Sequence, residues 1–319
     1  MDGRREFVLQ VYEVLRKHSN ENNFLTQQDI IDYLDKDFNV HSERKSIAKA
    51  INAINSVYED CVVKSDSRKG FAITERNFSK DEIIPIMMAI YSFKGFSSQL
   101  TNQITEKLKS DYALNEHFPA SHTVTNSLKN ENKEVIYNFS IISEAIANKK
   151  LISYSYTNEA GKKNNRTICP HYIFVSQEEF RLLATFNNSP KAKFYVYSLD
   201  KMTDVKIVED SIAYKLQDIE KYKDFDIDKY LNEHLYYFSK PAITAKIKMK
   251  SESNKSQIIK WFGKQAKFLA NDIVEITNDV DSLYFWLKDY AEYLEILEPE
   301  ELRNKLYEYG QKLIDTYKK

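Results

Sequence analysis

Apolar side chains first recur at helical spacing along this chain, then at strand spacing. Phe7, Val8, Val11, Tyr12, Val14 and Leu15 share one helical face and predict a first helix ending near His18. Thr26 is placed to cap a second helix through Leu34, with Ile30, Ile31 and Leu34 inward, and residues 35–40 read as a turn. Ser42 is the expected cap of a third helix, from Glu43 to about Tyr58, striped by Ile47, Ala50, Ile51 and Ile54. The period then changes. Residues 61–64 and 70–74 predict two short strands around a loop with a basic tip.

Helical spacing returns in the middle of the chain. Ser79 and Glu82 form a capping-box pattern, and the helix they open is apolar on most sides: Ile83, Ile84, Ile86, Met87, Met88, Ile90 and Tyr91. Pro85 is expected in its first turn. A second helix, about 98–112, carries Leu100, Ile104 and Leu108. Residues 113–132 read as a polar loop, and 133–147 as a further helix. Strand signals then dominate: 151–156, 166–173, 179–185 and 193–202, with a turn at 158–161. So many short strands in so small a block predict a barrel that closes its own edges. Residues 214–240 are expected to wrap or bridge. From Pro241 the pattern gives a strand at 242–249, with Thr244, Lys246 and Lys248 outward, and a helix at 254–262. A hairpin around Asn271 and Asp272, a helix at 281–293, a strand at 294–298 and a long last helix opened by Pro299 follow. That order, β-α-β-β-α-β plus a helix, is ferredoxin-like.

Composition narrows the classes. A chain of 319 residues with 42% hydrophobic content has room for several cores. Net charge is only −1, so no global field marks a nucleic-acid binder and any basic face must be local. Cys61 and Cys169 make neither a disulfide framework nor a zinc site. No apolar run is long enough to span a bilayer and the N-terminus is no signal peptide, so a cytoplasmic protein with no membrane partner is expected. Phosphate loops, zinc-protease motifs, nucleophile elbows and paired cysteines are missing from the sequence, so no cofactor, no metal and no enzyme activity are expected. His117 and His122 lack the neighbours a metal site needs. Cys169 and His171 share a strand face with no orienting group in view, and no catalysis is assigned to them.

Three helices followed by a hairpin form a winged helix-turn-helix pattern, which would set the third helix in a DNA major groove. Arg44, Lys45, Ser46, Lys49 and Asn52 occupy the non-core face of that helix, with Arg68 and Lys69 at the wing tip. Arg can read guanine and Asn adenine, while Lys and Ser hold phosphates. Charge alone does not decide the matter, because residues 1–80 hold 13 basic and 13 acidic side chains. On the barrel, Tyr154 and Tyr156 share one side of a strand, as do Tyr195 and Tyr197. Arg166, His171, Arg181 and Lys201 could add charge. Aromatic rings beside cations suit a single-stranded nucleic acid or a nucleotide ligand.

The spacing Ile152-x-Tyr154-x-Tyr156, Arg166-x-Ile168-x-Pro170-x-x-Ile173, Phe180-Arg181-Leu182-Leu183-Ala184 and Tyr197-x-Leu199-Asp200-Lys201-Met202 resembles the WYL domain family. The family's Trp-Tyr-Leu triplet reads Phe180-Arg181-Leu182 here, and its usual later Arg reads Lys201. The resemblance implies a small Sm- or SH3-like barrel that senses a ligand for a bacterial transcription regulator. It also implies that Arg181 points toward the sensing surface. The C-terminal pattern, with Pro299-Glu300-Glu301-Leu302-Arg303 opening the last helix, resembles the extension such regulators use to dimerise.

The expected architecture is therefore a multidomain α+β chain. A winged helix-turn-helix (1–78), a helical connector (79–132), the WYL barrel (133–213) and a linker with a ferredoxin-like dimerisation domain (214–319) follow one another. The expected function is a homodimeric regulator of transcription, a repressor in the first instance, that binds double-stranded operator DNA and senses a nucleic acid or nucleotide. A phage-defence operon is the gene set the resemblance suggests. The alternative is an accessory protein that binds single strands and modulates a defence effector. Duplex preference separates the two.

Overall fold

The computed structural model describes residues 2–59, 61–64, 70–74, 76–112, 129, 131–157, 163–186, 193–237 and 240–318. The fold is mixed α+β, with helices at the N-terminal end and, among the described residues, three separate sheets. It divides into two compact units. One comprises residues 1–136 with 177–179, and the other 137–176 with 180–319.

In the first unit, α1 (Asp2–His18), α2 (Gln27–Phe38) and α3 (Arg44–Val57) pack their apolar stripes into one core around Val11, Leu15, Ile30, Leu34, Ile47 and Ile54. Thr26 caps α2 in a capping box with Asp29. This helix runs one turn beyond the expected end at Leu34. Asp35, Lys36 and Asp37 continue it as polar turns, and Asn39 stops it in a left-handed conformation at φ 55°. The cap position of α3 is Glu43, without a side-chain capping bond, so Ser42 does not serve.

The hairpin of β1 (Val62–Lys64) and β2 (Phe71–Ile73) follows. Two features bind it to the helices. The Asn55 amide of α3 donates to Val62 O at 3.0 Å and accepts from Val62 N at 2.9 Å. Leu25, just before α2, exchanges backbone hydrogen bonds with Phe71 at 2.9 and 2.7 Å and so adds a third strand-like edge. Gly70 makes that approach feasible, because a Cβ there would sit 2.9 Å from Phe24 Cβ and 3.0 Å from Leu25 O.

Helices α4 (Lys80–Ser92) and α5 (Ser98–Asp111) complete this part of the unit. Glu82 accepts from both the backbone N–H and the hydroxyl of Ser79, as the capping-box pattern requires. Pro85 lies inside α4, beyond its first turn. Ile83 and Met87 are buried, whereas Ile86 and Met88 are exposed, so the described residues cover one side of this apolar helix. Thr101 and Thr105 are the buried positions of α5, in place of the expected Leu100, Ile104 and Leu108, which are half-buried. The Arg76 guanidinium ties α1 to α5 by donating to the carbonyls of Arg16, Ser19 and Asp111.

The second unit begins within α6 (Val135–Ala147) and holds a five-stranded sheet in the order β6-β5-β4-β3-β7. The strands are β3 (Leu151–Thr157), β4 (Lys163–Ser176), β5 (Glu179–Thr185), β6 (Phe194–Ser198) and β7 (Met202–Val208). Pairing of β4 with β3 ends at Ile168, two residues before Pro170, whose nitrogen has no proton to give. The stretch expected as one strand over 193–202 is two strands broken by a 3-10 turn at Leu199–Lys201. That turn decides the shape. In a flat sheet, strands four steps apart would lie roughly 19 Å from each other, at about 4.8 Å per step. The path from Ser198 to Met202 reaches at most about 14 Å. The sheet therefore rolls, bringing its first and last strands toward each other.

One face of the rolled sheet is covered by residues 213–237. Leu216, Ile219 and Tyr230 pack on Leu183 and Phe194 with Tyr172, Phe174, Tyr222 and Phe225. These residues do wrap the sheet, as expected from sequence. A second sheet follows in the order β11-β8-β10-β9: β8 (Ala242–Met249), β9 (Ala266–Phe268), β10 (Ile273–Asp279) and β11 (Leu294–Glu298). Asn271 and Asp272, at φ 61° and 58°, make the β9–β10 turn. With α8 (Asn254–Phe262), α9 (Val280–Tyr290) and α10 (Glu300–Tyr317), this sheet buries a core around Trp286, whose ring meets Phe262 edge-on at 4.7 Å. Ala245, Ile247 and Met249 face that core from β8. Pro299 precedes α10 as its cap residue.

Candidate nucleic-acid interfaces

Two surfaces carry the residues expected to meet nucleic acid. On α3, Ile47, Ala50, Ile51 and Ile54 turn toward the core. Lys45, Lys49 and Asn52 therefore project from the opposite side at i, i+4 and i+7, with Arg44 and Ser46 flanking them; all five are exposed. Among the described residues, no carboxylate pairs with Arg44, Lys45 or Lys49. The Asn55 amide joins this helix rigidly to the hairpin beside it. Arg68 and Lys69 lie outside the described residues.

The second surface is one face of the rolled sheet. Strand register sets Arg166 directly across from Tyr154, with Tyr156 two residues further along β3. On the other side of the sheet order, Tyr195 and Tyr197 stand opposite Ala184 and Leu182 of β5, on the same face. The rings form a chain: Tyr156 to Tyr154 at 6.4 Å, Tyr154 to Tyr197 at 6.1 Å and Tyr197 to Tyr195 at 6.4 Å. The Arg166 guanidinium sits 5.8 Å from the Tyr156 ring and 5.6 Å from Phe186, a residue just past the expected end of its strand. No carboxylate neutralises Arg166 among the described residues.

Burial divides this cluster into a base and a contact layer. Tyr154 and Tyr197 are buried, and burial pushes both phenols above their usual range, so they stay neutral. Tyr195 and Phe186 are 49% and 42% exposed, which leaves ring faces open to a stacking partner. The arrangement offers a fixed cation between aromatic surfaces, which suits an unstacked base with its phosphate.

Three residues expected at this surface stand elsewhere. His171 lies on the opposite face of β4, 8% exposed, with Nε2 3.1 Å from Thr185 Oγ1 and its ring against Tyr214. Burial lowers its pKa to about 4, so it brings no charge at neutral pH. Arg181 pairs in register with Ser198 and donates to its hydroxyl at 2.9 Å, so it also faces away from the tyrosines. Lys201 sits exposed in the 3-10 turn, off the sheet. The other two residues of the triplet do packing work: Phe180 meets Phe139 at 5.0 Å and Leu182 is fully buried.

Cys169 and His171 share a buried face, as their spacing implied. Burial raises the thiol to about 11 and lowers the imidazole to about 4. A thiolate–imidazolium pair needs the reverse of both displacements. No cluster of three or more potential metal ligands occurs among the described residues. His117 and His122 lie outside them. No described helix is long and apolar enough to cross a membrane.

Residues 137–207 match the family model of the WYL domain. The chain contains a WYL domain. The match covers α6 and the rolled sheet from β3 into β7, and so includes every residue of the tyrosine–arginine face. No curated protein matches the chain. Among solved structures, the chain is similar to proteasome accessory factor B/C (PafBC) of Arthrobacter aurescens at 13% identity, over 98% of this chain and 49% of that one, with a TM-score of 0.28. It is also similar to a CRISPR Cas-related protein known from a crystal structure, at 14% identity over 98% and 85% of the two chains, with a TM-score of 0.39. The chain spans about half the length of PafBC.

Proposed function

We propose that this protein is a DNA-binding transcription regulator whose WYL domain senses a single-stranded nucleic acid or nucleotide. The observation that carries the reading is the α3 stripe: Lys45, Lys49 and Asn52 stand exposed opposite a fully apolar core face, with no carboxylate partner among the described residues, on a helix locked to a hairpin. We read residues 1–78 as a winged helix-turn-helix with α3 in the major groove. The rolled sheet is read as an Sm- or SH3-like barrel, and the last sheet, with its order β11-β8-β10-β9, as a ferredoxin-like domain that pairs two copies. Paired winged domains would read inverted half-sites. Repression of neighbouring genes, a phage-defence operon among the candidates, is the regulatory output we propose, carried out in the cytoplasm without catalysis.

The Arg166 face supplies the sensing site. Ligand there changes operator affinity only insofar as it favours one arrangement of the dimer over another. Replacing Lys49 with Ala tests the DNA half of the proposal. Duplex affinity should fall, and the slope of log affinity against log salt should become shallower by about one ion. Unchanged affinity and slope would remove α3 from the interface.

A further inference from the structure

A cavity of about 490 Å³ lies between β6 and residues 221–241. Its size falls within the range of small-molecule sites, roughly 300–1,000 Å³. Phe194, Tyr222 and Phe225 supply aromatic wall, and Tyr195 joins the rim from the edge strand β6, its ring on the tyrosine face of the WYL domain. Three ammonium groups line it as well, Lys193, Lys221 and Lys229; Lys221 lies 5.2 Å from the Tyr222 ring.

Two other charged groups around the cavity are already engaged. Asp226 accepts from Lys229 N–H as the cap of α7 (Ile227–Glu233), and Lys240 is paired with Asp281 at 2.9 Å. Among the described residues no ion pair engages Asp224 or Glu233, carboxylates that accept hydrogen bonds but donate none. The cavity thus combines a stackable ring, cations and a smaller number of acceptors. A bare anion would use only the lysines. An apolar ligand would leave every charge without a partner, which is costly in a semi-enclosed site.

We propose that this cavity binds a nucleoside 5′-phosphate whose base carries an exocyclic amine. The base stacks on Tyr222, the phosphate meets Lys193, Lys221 and Lys229, and the amine donates to Asp224 or Glu233. The cavity holds one nucleotide. It goes beyond the single-strand site at Arg166, and the two are separable by mutation.

The test is calorimetric titration of the full chain with AMP, beside UMP, adenosine and inorganic phosphate. A fluorescent single-stranded oligonucleotide is titrated in parallel. AMP should bind, and adenosine and phosphate should each bind at least about tenfold more weakly, since each keeps only one half of the contacts. UMP, without the amine, should also be weaker. The double variant K193E/K229E should weaken AMP by about tenfold or more through charge reversal and leave the thermal midpoint unchanged, because both side chains are exposed. Arg166→Ala should weaken the oligonucleotide and spare AMP. No AMP heat, or AMP no tighter than phosphate and adenosine, overturns the proposal. So does AMP binding that Arg166→Ala abolishes while K193E/K229E leaves it intact, since the nucleotide would then sit on the tyrosine face. AMP binding with no oligonucleotide binding would instead keep this site and sink the single-strand reading of the Arg166 face.

Discussion

His171 should make the stability of the second unit depend on pH. Its ring is 8% exposed, and burial lowers its pKa from 6.5 to about 4. Below about pH 6.5 the unfolded chain binds a proton on this ring, while the folded chain refuses it until about pH 4. The stabilising effect of the neutral ring is thus fully present above pH 6.5 and is lost progressively as pH falls toward 4. At about 1.4 kcal/mol per pH unit, the gap amounts to roughly 3 kcal/mol. His171→Gln removes the titrating group and keeps a partner for the Thr185 hydroxyl. Urea unfolding of both proteins at pH 7.5, 6.0 and 4.5 then isolates the effect of one ring. The wild type should lose about 2–3 kcal/mol more than the variant across that range. Parallel losses, or a ring that titrates near 6.5 by NMR, would refute the assignment of His171 as a buried neutral group.

Gly70→Ala should destabilise the first unit by about 1–3 kcal/mol, as the new Cβ meets Phe24 and the Leu25 carbonyl; a lowered thermal midpoint would show it, and an unchanged one would contradict the close approach. Asp279 is buried and accepts from the backbone N–H groups of Asp281 and Ser282 at 3.1 and 2.9 Å, so Asp279→Ala should cost about 0.5–2 kcal/mol by uncapping α9, read by chemical denaturation. Arg166→Ala should weaken single-strand binding by about tenfold, the size of a lost cation–π and phosphate contact, with duplex affinity unchanged. Equal effects on both substrates would assign Arg166 to general electrostatics.

Periodicity made most elements legible. The switch from helical spacing to alternation at residue 61 located β1, and the alternation over 242–249 correctly put Ala245, Ile247 and Met249 inside. The break between β6 and β7 was hidden because Leu199, Asp200 and Lys201 contain neither Gly nor Pro. The β4–β5 turn carries its positive φ on Gln177 and Glu178, residues that give no turn signal. The extra turn of α2 was masked because Asp35, Lys36 and Asp37 look like a loop until Asn39 ends the helix.

The site was legible within strands and hidden between them. Spacing of two put Tyr154 with Tyr156 and Tyr195 with Tyr197. Only register reveals that Arg166 stands across from Tyr154, or that Arg181 pairs with Ser198 and so faces away. One signal was available in the sequence: Arg166 and His171 are five residues apart on one strand, and odd spacing sends side chains to opposite faces. Phe186 fell just beyond the expected strand end. The cavity beside β6 draws on residues from 193 to 241, far beyond the reach of any local pattern.

The most direct test of the central claim is an anisotropy titration of the full chain against three labelled DNAs at several salt concentrations. These are the duplex upstream of its own coding sequence, a scrambled duplex and a matched single strand. We expect tight binding to the upstream duplex, weaker binding to the scrambled one, and a separate single-strand affinity that Arg166→Ala lowers. Preference for the single strand over both duplexes, or no discrimination at any salt, would contradict the operator-reading regulator and favour a single-strand-binding accessory protein.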